Sequence, residues 1–111
     1  MKKEVADAWI ADLRTNPPQT AGRLYDGKGY CCLGRLCVVM GLEPKKNPDT
    51  NNYHFNDEKF TLPESVVEEA EMGTNNGLIG GDNGECLSEM NDDGSTFDEI
   101  AYAIEKYWRV L

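Results

Sequence analysis

Three of the four cysteines, Cys31, Cys32 and Cys37, crowd into the run Gly29-Tyr30-Cys31-Cys32-Leu33-Gly34-Arg35-Leu36-Cys37. Thiols grouped in this way could ligate a metal, supply a nucleophile or fill a core. Zinc sites draw Cys or His ligands in two pairs, each with about two to four residues between partners. Here there is no C-x-x-C, Cys86 is remote, and His54 is the sole histidine. Neighbouring cysteines on a strand also point to opposite faces. No metal or other cofactor is expected, and buried thiols account for the pattern more simply. Cys32 has a sharper use. It falls where a strand hands over to a helix, and a helix start lowers a thiol pKa. A small Cys–His hydrolase would pair it with His54. That histidine sits between Tyr53 and Phe55 with no framing glycines, so a half-buried strand residue is the plainer account.

A second grouping is basic and aromatic. Arg23, Tyr25, Lys28, Tyr30 and Arg35 lie on or beside one candidate hairpin. Tyr25 and Tyr30 could stack on a base while Arg23 or Lys28 meets a phosphate. The competing account is an ordinary hairpin with rings on the core and solvated charges. Asp82-Asn83-Gly84-Glu85 and Asn91-Asp92-Asp93-Gly94 lack the spacing of a calcium loop, and the latter reads as the turn before the last helix. Gly77-Leu78-Ile79-Gly80-Gly81 lacks the lysine of a phosphate loop and reads as a flexible connection.

Charge is divided unevenly along the 111 residues, whose net value is −9. Residues 1–47 carry eight Lys/Arg against five Asp/Glu, and residues 48–111 carry three against fifteen. Such a chain repels a phosphate backbone, which argues against direct nucleic-acid binding. No apolar stretch approaches the roughly 20 residues of a membrane span, and Met1-Lys2-Lys3-Glu4 leads straight into an amphipathic pattern. A cytoplasmic protein with reduced thiols is expected.

The elements that must position these residues follow from periodicity. Residues 3–15 read as a helix with Val5, Ala8, Trp9 and Leu13 on one face, stopped by Pro17-Pro18. Arg23–Tyr25 and Gly29–Cys31 flank an Asp26-Gly27-Lys28 turn as a β-hairpin. Leu33, Leu36, Cys37 and Met40 then mark a central helix ended by Gly41. Residues 43–52 read as a polar loop, and Tyr53–Phe55 pairs with Lys59–Thr61 as a second hairpin. Thr61 and Glu64 form a capping box for a third helix, with Pro63 in its first turn, Val66, Val67 and Ala70 on its face and Gly73 as its stop. Residues 73–85 are a glycine-rich loop, and 86–90 a short turn of helix or strand. Thr96 and Glu99 cap the last helix, whose apolar face is Phe97, Ile100, Ala101, Ile104, Tyr107, Trp108 and Leu111. The expected fold is a single α+β domain over 1–111, with about four helices and one or two short hairpins.

The run Gly22-Arg23-Leu24, followed by Gly29-Tyr30-Cys31-Cys32-Leu33-Gly34 and Leu36-Cys37, resembles a group of small proteins encoded by bacteriophages and prophages. Trp9, Leu13 and Arg14, Leu87, Asn91 and Asp92, and Phe97-Asp98-Glu99-Ile100-Ala101 look like parts of the same pattern. In that group position 35 is usually apolar, so Arg35 reads as a local specialisation or a surface change, and about 43–61 reads as a variable insert. The resemblance implies a small non-catalytic protein of the host bacterial cytoplasm that counteracts host defence. Two modes suit the residues. One is a sponge for a nucleotide-derived signal, held by Arg23, Tyr25, Lys28, Tyr30 and Arg35 with Asn91 and Asp92. The other is an acidic mimic of nucleic acid that blocks a host or CRISPR-type protein. The sponge is placed slightly ahead, and a homo-oligomer is left open. The Cys32 hydrolase stays as the third alternative.

Overall fold

Trp9 organises the interior. Its ring is fully buried and its indole Nε1 donates to the Cys32 carbonyl at 2.9 Å, so the first helix is tied to the start of the second. The computed structural model describes residues 1–80 and 84–111. Gly81, Asp82 and Asn83, which belong to the glycine-rich loop and the Asp82–Glu85 segment, lie outside the described residues.

Helix α1 spans Lys3–Leu13 and buries Ala6, Trp9, Ile10 and Leu13. This i, i+3, i+4, i+7 stripe is rotated from the expected one: Ala8 is exposed and Val5 half-buried. Ile10 is the larger apolar side chain, and the face that buries it wins. Helix α2, Cys32–Val39, buries Cys32, Leu33, Gly34, Leu36 and Cys37. Strand β1 (Lys45–Lys46) pairs antiparallel with β2 (Tyr53–His54) in the register Lys45↔His54 and Lys46↔Tyr53. Helices α3 (Glu64–Ala70), α4 (Leu87–Asp92) and α5 (Phe97–Tyr107) complete the chain. Five helices and one two-stranded sheet make an α+β domain whose radius of gyration, 12.9 Å, is that of a single compact unit of this length. No helix among the described residues is long and apolar enough to cross a membrane.

The hairpin at Asp26 is reduced to a single antiparallel bridge, Tyr25↔Tyr30, and Tyr30 also bridges Gln19 in parallel. The second hairpin takes a different partner from the expected one. Tyr53-His54 pairs backward with Lys45-Lys46, while the reversal at Asn56-Asp57 closes only the bridge Phe55↔Glu58. Both turn residues have positive φ (48° and 71°), the tight two-residue geometry that Asn and Asp tolerate. Lys59 then turns away and accepts the Leu24 amide. Segment 43–61 is fastened to the core by Phe55, which is 1% exposed.

Two termini also differ. The N-cap of α3 is Pro63, with no side-chain cap. Glu64 is therefore the first helical residue and cannot serve as the third-position partner of Thr61. The helix ends at Glu71 in the left-handed conformation, ahead of Gly73. By contrast, the Thr96–Glu99 capping box of α5 is made in both directions. In the glycine-rich loop, described residues 77–79 hydrogen-bond to 85–87 and form the bridge Leu78↔Cys86.

Gly34 is the most closely approached of the described glycines. A Cβ there would collide with the Leu24 carbonyl oxygen. Gly34→Ala is expected to destabilise the protein by about 3 kcal/mol through forced separation of α2 from Leu24. Gly22→Ala, where φ is +83° with open space around it, costs only about 1 kcal/mol of backbone strain. Urea denaturation midpoints of the two variants check the contrast.

Candidate functional site

The basic–aromatic residues do come together. The Asp26 carboxylate accepts from the Thr20 hydroxyl at 2.7 Å and from the Gly29 and Lys28 amides at 2.8 Å each. These bonds, the Thr20 hydroxyl first, hold its pKa down at about 2. The turn so fixed stacks Tyr25 on Tyr30, with ring centroids 4.4 Å apart and planes at 28°, and Tyr53 of β2 meets Tyr25 edge-on at 4.8 Å. Gly27 is needed under this third ring: its φ is +93° and a Cβ would come within 2.9 Å of Tyr53. Burial, followed by its neighbours Tyr30, Tyr53 and Asp26, raises the Tyr25 phenol pKa.

Arg35 and Arg23 beside the rings already have polar partners. Arg35 donates through Nε at 2.8 Å and through a terminal nitrogen at 2.6 Å to the two oxygens of Asp12 on α1, and its guanidinium lies 4.6 Å from the Tyr30 centroid. The Asp12 hydrogen bond pushes the Arg35 pKa up despite partial burial. Arg35 is thus a clamp between α1, α2 and the hairpin, neither a surface change nor an open anion ligand. Arg23 donates to Asn52 Oδ1 at 3.2 Å. Lys28 is exposed, and Lys46, which the sequence pattern did not single out, places Nζ 6.0 Å from the Tyr53 ring. The tyrosines spend their faces on one another and on Arg35, so they present no ready gap for a base.

Asn91 is the one polar residue buried in the core among the described residues, 3% exposed. Its Oδ1 accepts from Gln19 Nε2 at 2.9 Å and from the Cys32 amide at 3.1 Å, and its Nδ2 donates to the Thr20 carbonyl at 2.8 Å and to Asp92 Oδ1 at 3.3 Å. Asp92 Oδ1 in turn accepts the Gly22 amide at 2.9 Å. These two residues form a bracket. They pin segment 19–22 and the start of α2 onto α4, and the amide of Asn91 has no hydrogen-bonding capacity left for a ligand.

Cys32 does open a helix, as its place in the sequence implied, but its thiol lies in the interior. The side chain is fully buried and donates to the Leu87 carbonyl at 3.5 Å. Burial, reinforced by Cys31 and Asp92, drives its pKa well above the ordinary thiol value, and the amide hydrogen bonds at the helix start do not offset this. His54 accepts the Asp57 amide through Nδ1 at 3.2 Å, a turn contact rather than a catalytic one. Cys31 is the N-cap of α2, its sulfur accepting the Gly34 amide. All four thiols are free and buried. No group of three or more metal-ligating side chains occurs among the described residues.

The second half of the sequence is acidic. Each described Asp and Glu from Asp49 onward is exposed, and among them only Glu71 and Glu105 reach a Lys or Arg, at 3.6 Å and 2.6 Å. Glu85, Glu89 and Asp93 line one groove of about 370 Å³ with Met90 and Ser95. Met90 also walls a second groove, of about 480 Å³, that runs along α5 past Asp98 and Glu99. The two grooves share Met90 as a lining residue. A third groove, between α1 and α5, has its charges paired internally as Lys3–Asp7 and Arg14–Glu105.

Asn91→Ala leaves the Cys32 amide and Thr20 carbonyl without their partner and is expected to cost about 2–3 kcal/mol, read from thermal or urea unfolding. The thiols set a further expectation. An unfolded cysteine ionises near 9.0, whereas folded Cys31 and Cys37 keep their protons to about 11 and about 12, chiefly through burial. Between these values the unfolded chain has lost protons that the folded chain retains, so stability is full below pH 9 and falls as pH rises above it. Urea midpoints across that range check the slope. At about pH 8 a thiol reagent should label Cys31, Cys32 and Cys37 only after unfolding.

No curated protein and no solved structure matches the chain. A family profile described as Domain of unknown function (DUF8296) matches residues 1–108. That span takes in the hairpin, the Cys31–Gly34 helix start, the Asn91 bracket and α5, and the chain belongs to the DUF8296 family.

Proposed function

We propose that this protein is a non-catalytic, phage- or prophage-encoded binding protein whose acidic second half imitates nucleic acid and occupies a basic surface of a host protein. One observation carries the reading: the described carboxylates from Asp49 onward all stand in solvent, and all of these but Glu71 and Glu105 lack a Lys or Arg partner among the described residues. A surface that served only solubility would do as well with both signs interspersed. Here residues 48–111 carry fifteen Asp/Glu against only Lys59, Lys106 and Arg109, so one sign dominates the second half of the chain. Such a field steers a cationic partner and weakens as salt screens it.

The grouping of Arg23, Tyr25, Lys28, Tyr30 and Arg35 supports nucleotide capture less well. A base could enter only by parting Tyr25 from Tyr30, and a phosphate could reach Arg35 only by displacing Asp12. Both contacts are close and well aligned, so the capture reading carries an opening cost that the acidic face does not.

Affinity capture from bacterial lysate, followed by nucleic-acid competition, tests the proposal. The tagged protein should retain a nucleic-acid-binding protein at about 50 mM salt, release it near 500 mM, and lose it on combined Glu85→Lys, Glu89→Lys and Asp93→Lys substitution. DNA or RNA should compete for the same partner. A clean capture at low salt, or thermal stabilisation by a cyclic dinucleotide or ADP-ribose that Arg23→Ala removes, would overturn it.

A further inference from the structure

Asp98, Tyr102 and Lys106 succeed one another at i, i+4, i+8 on the outer side of α5, and Glu99, Ala103 and Tyr107 run beside them. Met90 of α4 is the opposite wall of the groove that this stripe lines. Tyr102 is 65% exposed, the most exposed large apolar side chain of the described residues. It shares the lining of the groove with Ala103, Met90 and Tyr107, all of them buried or half-buried. From Asp98 to Tyr107 the groove is about 14 Å long, or between two and three helical turns.

Chemistry changes along that length. Asp98 and Glu99 stand at one end, and Met90 is shared with the neighbouring groove that Glu89 and Asp93 line. At the other end Lys106 lies with Nζ 5.3 Å from the Tyr107 ring. The site is thus an apolar trough with an acidic mouth and a single cation at its far end.

We infer that this groove seats a basic amphipathic helix of the partner protein. The apolar stripe of that helix lies on Met90, Tyr102 and Ala103, and its Lys and Arg residues face Asp98, Glu99 and the α4 carboxylates. Charge complementarity selects this occupant. A second copy of the chain would bring the same carboxylates, with a net charge of −9, and be repelled. An apolar helix without cations would leave the acidic mouth facing no counter-charge. Lys106 gives the seated helix a polarity, because its basic residues are favoured toward Asp98 and disfavoured at the Tyr107 end. The inference rests on the acidic-face reading and adds to it the element that recognises shape, since electrostatics alone would accept any polycation.

Fluorescence anisotropy with two labelled peptides tests it: a Leu/Lys helix of about 14 residues, amphipathic by design, and a scrambled peptide of the same composition and charge. The amphipathic peptide should bind about tenfold more tightly than the scrambled one. Tyr102→Ser should erase that preference while leaving the far-ultraviolet spectrum and unfolding midpoint unchanged. The triple charge reversal at Glu85, Glu89 and Asp93 should weaken both peptides. Equal binding of the two, unaffected by Tyr102→Ser, overturns the groove while the acidic-face reading stands. No binding of either peptide at low salt overturns both. A salt-insensitive dimer that Tyr102→Ser dissociates overturns the groove in favour of self-association.

Discussion

The missing side chain at Gly34 is the constraint on which the rest of the structure depends. Only a glycine lets the first turn of α2 rest against the backbone at Leu24, where any Cβ would overlap the carbonyl oxygen. From that approach the neighbouring contacts follow. The Cys31 amide donates to the same Leu24 carbonyl, the Cys31 sulfur caps the helix, the Cys32 carbonyl receives the Trp9 indole, and the Cys32 amide reaches Asn91. Three distant segments thus converge on one helix start. The two cysteines are small, moderately polar fillers for a place where backbone groups need the room.

Charge and packing divide the molecule between them. On the hairpin side, Asp12, Arg35, Tyr30, Tyr25 and Tyr53 form a chain of ionic, cation–π and ring contacts that ties α1 to β2. The Asp12–Arg35 pair is mostly shielded from water, with side chains 19% and 14% exposed, and its bidentate geometry makes it firmer than an open surface pair. The acidic side has no comparable network. Its carboxylates stay solvated, where each costs little on folding and all remain available to a partner.

Much of this was legible in the residues. The α5 stripe and its capping box, the α2 periodicity and the Asp26 turn are local patterns, and they appear as read. Pairing of Lys45-Lys46 with Tyr53-His54 was not legible, because two lysines in a run rich in Pro and Asn carry no strand signal and the pair is fixed by what packs beneath it. The rotation of α1 likewise turns on a tertiary choice between Ala8 and Ile10. At the candidate sites, the company kept by Arg23, Tyr25, Lys28, Tyr30 and Arg35 could be inferred from spacing. That Arg35 belongs to Asp12, and Asn91 to the interior, could not. A buried amide is recognisable only when the 19–20 segment, 71–72 residues away in sequence, is seen to supply its partners.

The packing of α1 against α5 joins residues as far apart as Arg14 and Glu105, 91 positions in sequence. On a ribosome adding roughly 5–20 residues each second, the N-terminal helix therefore waits on the order of ten seconds for its cover. During that interval the stripe around Trp9 and Leu13 has only α2 to shelter it. The α1–α5 contact cannot form before α5 has been made, and over that window chaperone binding can compete with self-burial.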